Sequence, residues 1–307
     1  MLFRSSLFTA CRSATMTAEY TARFDVPYQG LQHPRRACDI YLPPHSDAST
    51  PLLVFIHEAK SDFVETLAPA LVRHTGLPVA FVEYRLTPEV VHPVHIQDVV
   101  SGFELLTGPL LECEGGSPKW SRSRLVVSGH SAGAWMAATL VLKAPPQHNS
   151  YSVPSNVRAA IERIIPIVGI YDLESTLDEY PSYGPEFIDE AFGTDREAYD
   201  IESPARWFKH DDEAGRKLRI LVIQSLEDEL VSPRQARVLI RRLRQIYGTT
   251  SGSLESVPDA ASPVGEEEKE ELPANVEVDF DSVGSTHMGM LQLEAIPRRI
   301  AQYLIDL

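Results

Sequence analysis

Cysteine is scarce in this chain, with only Cys11, Cys38 and Cys113 among 307 residues. Their odd number and their lack of metal-ligand spacing argue against a disulfide-stapled secreted domain and against a structural zinc site, and point to a reducing compartment. Long apolar runs are missing too. No stretch reaches the about 20 residues a membrane-spanning helix needs, so no membrane partner is expected. Basic charge is the third shortage: 28 Lys and Arg stand against 43 Asp and Glu, a formal charge of -15. A nucleic-acid-binding surface requires a basic patch, so no nucleic-acid partner is expected either. What the chain has in quantity is apolar content, 43% of its residues. At this length that suffices for one full hydrophobic core.

Two stretches stand apart from a main domain read as residues 19–307. Residues 1–18 hold Arg4, Arg12 and several hydroxyls with no acid before Glu19, as a mitochondrial transit peptide would. The competing reading is a flexible extension ahead of a start at Met16. Residues 249–274 combine Ser, Pro and Gly with the run Glu266-Glu-Glu-Lys-Glu-Glu271, which marks a disordered acidic insertion. No internal repeat and no second hydrophobic unit divides the rest.

The most informative segment is Leu125-Val-Val-Ser-Gly129-His130-Ser131-Ala132-Gly133 and the helix-favouring run after it. A buried strand, then G-x-S-x-G, then a helix is the local pattern of a nucleophilic serine: the turn strains its central residue, and strand and helix pass so closely that small residues must flank it. A serine needs a base to take its proton, and the base needs an acid. Both follow in chain order. The apolar strand around Leu221 to Gln224 ends in Glu227-Asp228-Glu229-Leu230-Val231, and the alternating Val276 to Phe280 is followed by His287, the only histidine after that loop. Asp228 is the preferred acid, with Glu227 and Glu229 as rivals. The backbone N–H after the nucleophile, that of Ala132, is one candidate oxyanion donor.

Apolar strand-like runs alternate with helical patterns along the whole chain, which predicts an α/β fold with a mainly parallel sheet covered on both faces. Strands are expected near Cys38–Leu42, Leu52–His57, Val79–Tyr84, Leu125–Ser128, Ile164–Val168, Leu218–Gln224 and Val276–Phe280. Helices are expected at Phe63–His74, His95–Leu106, Ala132–Lys143, Pro233–Tyr247 and Leu293–Ile305. Glu174 to Phe208, rich in Pro, Tyr and acid, is too irregular for a sheet element and is expected to cover the mouth of the site. Catalytic groups at strand C-terminal ends would converge on one edge.

These motifs together resemble the fungal kynurenine formamidases (arylformamidases), α/β-hydrolases related to the hormone-sensitive-lipase-like esterases. The elbow and Glu83-Tyr84-Arg85-Leu86-Thr87-Pro88-Glu89, with Pro93 and Asp98 beyond it, belong to the wider esterase group. Val168-Gly-Ile-Tyr171-Asp-Leu173 with Tyr180 and Tyr183 looks more specific to the formamidases. Arg85 and Asp98 read as a structural ion pair, one strand away from the elbow.

The resemblance implies hydrolysis of N-formyl-L-kynurenine by Ser131, Asp228 and His287, a cytoplasmic enzyme, no cofactor and no metal. It implies a small-molecule substrate as the main partner and allows a homodimer. A flat aromatic leaving group would call for aromatic lining, for which Trp135, Tyr171, Tyr180 and Tyr183 are candidates. Where the family reads His-Gly-Gly-x-Trp, this chain reads His57-Glu58-Ala59-Lys60-Ser61. Backbone N–H groups of Ala59 and Lys60 remain candidate oxyanion donors, because donation needs no side chain. A short-acyl carboxylesterase using the same residues is the alternative activity. The loss of both glycines is the main support for a third reading, a ligand-binding relative with impaired catalysis.

Overall fold

Aliphatic and β-branched runs build a nine-stranded sheet in the computed structural model, which describes residues 19–57, 63–109, 119–248 and 271–307 together with the backbone of 12–16. The strands are β1 Arg12–Met16, β2 Thr21–Pro27, β3 Ala37–Leu42, β4 Leu52–Ile56, β5 Val79–Val82, β6 Leu125–His130, β7 Ile161–Ile167, β8 Arg219–Ile223 and β9 Val276–Asp279. Their spatial order is β1-β2-β3-β5-β4-β6-β7-β8-β9. The pairs from β5 through β9 are parallel, and β1, β2 and β3 add an antiparallel edge.

Strand β4 shows why the sheet is two-sided. Leu52, Val54 and Ile56 join one apolar cluster while Leu53 and Phe55 join another. Successive side chains point to opposite faces, so a strand buried on both must be apolar throughout. Helix α1 (Val64–Thr75) and the C-terminal helix Ala295–Tyr303 cover one face. Helices α2 (Val94–Thr107) and α3 (Ala132–Thr139), with Pro233–Tyr247, cover the other. This is the expected α/β architecture.

Departures from the expected elements have local causes. Helix α3 stops at Thr139 instead of reaching Lys143, because the chain turns there and Lys143 exchanges both backbone hydrogen bonds with Phe208, at 2.7 and 2.8 Å. Strand β6 runs on through Gly129 and His130 to pair with Pro166 and Ile167 of β7, which starts at Ile161 rather than Ile164. β2 escaped the sequence reading: Asp25 sits at a φ of 56°, its N–H bonded to the Asp39 carboxylate at 2.8 Å, and the register shifts between Arg23 and Val26. A bulge of this kind breaks the alternation that reveals a strand. β1 lies inside the stretch read as a leader.

Among the described residues, no helix is long and apolar enough to cross a membrane. The irregular 174–208 segment holds no strand but short helices, Leu173–Glu179, Asp189–Phe192 and Arg196–Ile201 among them. The leader's first residues, residues 58–62 and residues 249–270 of the stretch read as an acidic insertion lie outside the described residues.

Candidate active site

The turn after β6 places Ser131 at φ 55°, ψ -120°. For a residue with a side chain this conformation costs about 1–3 kcal/mol, so the surrounding structure must hold it there. It does so by hydrogen bonds on both sides. The Ser131 N–H donates to Ile167 O at 3.0 Å, and Ser131 O accepts from Ala134 and Trp135 at the start of α3. Both flanking glycines are required by close approach. A Cβ on Gly129 would lie 2.1 Å from Gly133 O, and one on Gly133 would lie 2.2 Å from Ile56 O. Neither needs a positive φ. Ala132 takes the first position of α3, where its N–H has no intrahelical acceptor and can serve an anion.

The loops after β8 and β9 meet beside this turn. His287 Nδ1 lies 2.7 Å from Asp228 Oδ2, and both side chains are shielded from solvent. The other oxygen, Asp228 Oδ1, accepts the N–H groups of Leu230 at 2.9 Å and Val231 at 2.8 Å. The carboxylate is thus held by its own loop and presented to one ring nitrogen. Of the three acidic neighbours, Asp228 alone reaches the ring. Glu229 Oε2 accepts the backbone N–H of His287 at 2.8 Å, and Glu227 lies against Gly284. Ser225 ties the two loops together, donating to Ser285 O at 2.6 Å and accepting from Ser285 N at 3.1 Å.

His130, next to Ser131 in the chain, bonds across to the same loop. Its Nε2 lies 2.9 Å from His287 O, and its ring centre is 4.5 Å from that of His287. A carbonyl only accepts, so His130 carries its proton on Nε2. Burial pushes its pKa well down, with His287 and His57 adding to the shift, so the ring is neutral. His57 stacks behind it at 5.9 Å. The elbow, the acid loop and the histidine loop are therefore one hydrogen-bonded unit.

A cavity of about 350 Å³ opens beside Ala132. Its walls include Tyr84, His92, Trp135, Phe187, Ile188 and Phe192, so of the four aromatic candidates Trp135 lines it. The other three aromatic candidates do not. Tyr171 is fully buried, its backbone N–H bonded to Gln235 Oε1 at 2.8 Å; it belongs to the core because Gln235 clamps the Tyr171–Asp172 backbone from below. Tyr180 and Tyr183 stack on each other at 4.8 Å beside the acid loop, and Tyr183 donates to Leu230 O at 2.9 Å. Phe187, 4.5 Å beyond Tyr183, is the member of that row that reaches the cavity.

The segment Glu186–Phe192 supplies part of the cavity wall, as expected of the irregular stretch. His92 and Phe192 were not anticipated. A signal for His92 existed in the two histidines around Pro93-Val94, but Phe192 sits in a stretch with no readable period.

Arg85 and Asp98 form the expected ion pair, Nε to Oδ2 at 2.7 Å and Nη2 to Oδ1 at 2.9 Å. Arg36 joins them from the loop before β3, its Nε 2.7 Å from Asp98 Oδ1. Ala59 and Lys60 lie outside the described residues, so of the candidate oxyanion donors only Ala132 is described.

Residues 38–243 match the family model BD-FAE. A kynurenine formamidase of Meyerozyma guilliermondii is 27% identical over 205 residues, covering 64% of this chain and 72% of that protein. One from Eremothecium gossypii is 32% identical over 164 residues, covering 52% of this chain and 61% of that protein. In fold, a truncated carbohydrate esterase from gut microbiota superposes with a TM-score of 0.67 at 14% identity, over 96% of this chain and 99% of that one.

Proposed function

The chain belongs to the BD-FAE family and is a hydrolase, and from that premise we propose that it uses Ser131 to cleave the formamide of N-formyl-L-kynurenine, giving L-kynurenine and formate. The observation that carries this reading is the Asp228–His287 couple at 2.7 Å beside the strained Ser131, next to a partly aromatic cavity. The names of the fungal relatives supply the substrate.

Each group then has one task. His287 takes the Ser131 proton as Oγ attacks the formyl carbon, while Asp228 holds the ring tautomer and stabilises the imidazolium. The Ala132 N–H faces the developing oxyanion. His287 returns the proton to the aryl nitrogen as the C–N bond breaks, leaving a formyl ester on Ser131. Water, deprotonated by His287, attacks that ester; the C–Oγ bond breaks, His287 returns the proton to Ser131 Oγ, and formate is released. The cavity beside Ala132 receives the aryl leaving group. The compartment in this reading is the cytosol, supported by the few cysteines.

Formate release from N-formylkynurenine, measured against hydrolysis of short-acyl esters by the same preparation, tests the reading. Formamide cleavage should dominate and should vanish in Ser131→Ala. Ester cleavage alone would favour a carboxylesterase, a reading that the fold likeness to a carbohydrate esterase keeps in play. An inactive protein that still binds the substrate would make it a ligand-binding relative.

A further inference from the structure

We propose that His92, held in place by the buried Glu202, is the specificity-determining residue that binds a carboxylate on the leaving group. The inference rests on the hydrolase reading above. Glu202 is 6% exposed, and both its oxygens face imidazoles: Oε1 lies 3.3 Å from His92 Nε2 and Oε2 lies 3.4 Å from His148 Nε2. Ser150 donates to Oε1 at 2.7 Å. Burial alone would raise the carboxyl's pKa, but the close imidazoles of His148 and His92, the charge of His92 and the Ser150 hydroxyl hold it at about 2. Glu202 is therefore an anion at working pH, and its ion pairs are with histidines.

The same residue sets two walls of the cavity. Its carboxylate orients His92, and its backbone carbonyl accepts the Trp135 Nε1–H at 2.8 Å. His92 is locked further by stacking on Phe192 at 4.7 Å, by edge contact with Trp135 at 5.7 Å, and by its backbone N–H to Ala191 O at 2.8 Å. Nε2 faces Glu202 at 3.3 Å, which leaves Nδ1 as the nitrogen to meet a ligand. A ring with a proton on each nitrogen directs Nε2–H at Glu202 and Nδ1–H at the ligand, as a charge-assisted donor to an anion. His95, the other histidine of the cavity, cannot take this role: burial and the charge of His92 lower its pKa to about 4. Glu186 and Glu190 also line the cavity and are solvent-exposed. An ammonium next to the bound carboxylate would find them, so an amino-acid head fits the charge pattern better than a simple acid.

The test compares substrates that differ only in that head. N-formylkynurenine and 2′-formamidoacetophenone form one pair, and O-acetyl-tyrosine and phenyl acetate form a second, each assayed with wild type, His92→Phe, His92→Gln and Glu202→Gln. In wild type the amino-acid member of each pair should have the higher kcat/KM. In His92→Phe that preference should shrink by about 10-fold to 100-fold, the scale of one charge-assisted hydrogen bond, through KM rather than kcat. His92→Gln, a neutral donor, should recover part of it. Glu202→Gln, at a positioning residue, should lose part of it in the same KM-dominated way. Labelling of Ser131 by a fluorophosphonate reports whether each variant is folded.

Equal losses on both members of a pair would overturn the proposal and make His92 a packing residue. If no formamide is cleaved, the formamidase reading fails by itself, and the ester pair still decides whether His92 reads a carboxylate.

Discussion

The Nε2–H of His130 donates to the backbone carbonyl of His287 at 2.9 Å, joining the residue before Ser131 to the loop that carries the proposed base. Chemistry at a serine requires its hydroxyl and the imidazole within about 2.6–3.2 Å of each other. Those two groups come from strands at different sequence positions, and His130 supplies a direct tie between them. His130→Phe keeps the buried volume and removes the donor. It should lower kcat by about 10-fold with little change in KM, because the loss falls on alignment in the transition state. His130→Gln, whose amide can reach the same carbonyl, should recover most of the rate. Unchanged kcat in His130→Phe would mean the loop is held without this bond.

The acid assignment separates three neighbouring carboxylates. Asp228→Asn should leave the fold intact and reduce kcat by roughly 10³-fold to 10⁴-fold, because the amide favours the wrong histidine tautomer. Glu227→Gln should be mild. Glu229→Gln keeps a carbonyl oxygen that can accept the His287 N–H and should also be mild, whereas Glu229→Ala should cost more by freeing that N–H. Steady-state kinetics on the four variants would reassign the acid if Glu227→Gln proved the most severe.

At the elbow, Gly133→Ala would drive a methyl into the carbonyl of Ile56, 2.2 Å away. Backbone lines the contact, so neither partner can swing aside. The variant should fail to fold or should lose about 3 kcal/mol or more, in the range of severe core overpacking. Urea denaturation gives the measurement. A stable, active Gly133→Ala would show that β4 and α3 can separate at little cost.

The Asp98 site should be structural. Asp98→Asn would leave Arg36 and Arg85 facing each other without their shared anion, and a loss of about 3–5 kcal/mol is expected for breaking a buried pair. Kinetic constants of the folded fraction should change little. A selective fall in kcat at normal stability would instead give the cluster a catalytic role.

Acid stability carries the signature of Glu202. Its folded pKa of about 2 lies below the usual 4.5, so its ionised form stabilises the native state at any pH above about 4.5, and that contribution is lost as pH falls toward 2. Glu202→Gln should show lower stability at neutral pH and a flatter decline through that window. Parallel curves for the two proteins in urea melts at several pH values would remove Glu202 from the acid response.

The sequence by itself determined the elbow, the chain order of Ser131, Asp228 and His287, and the parallel sheet that orders them. These are legible because their causes are local. Apolar runs report burial on both faces of a sheet, and Gly129 and Gly133 report a backbone approach that admits no Cβ. Even the Arg85–Asp98 pair lies within one short segment, although Arg36, which completes it, comes from another.

Only the tertiary structure decided what surrounds the proposed reacting groups. Asp228 and Glu229 are adjacent in the chain, and the turn made by the Leu230 and Val231 amides sends one to the ring of His287 and the other to its backbone. Tyr171 went into the core and Phe187 to the cavity because Gln235, far along the chain, holds one, while the row of Tyr180 and Tyr183 leads to the other. Glu202, His92 and His148 meet from three separate segments. A side chain's charge and its company in a buried cluster depend on which distant elements pack against it, and neither composition nor periodicity encodes that contact.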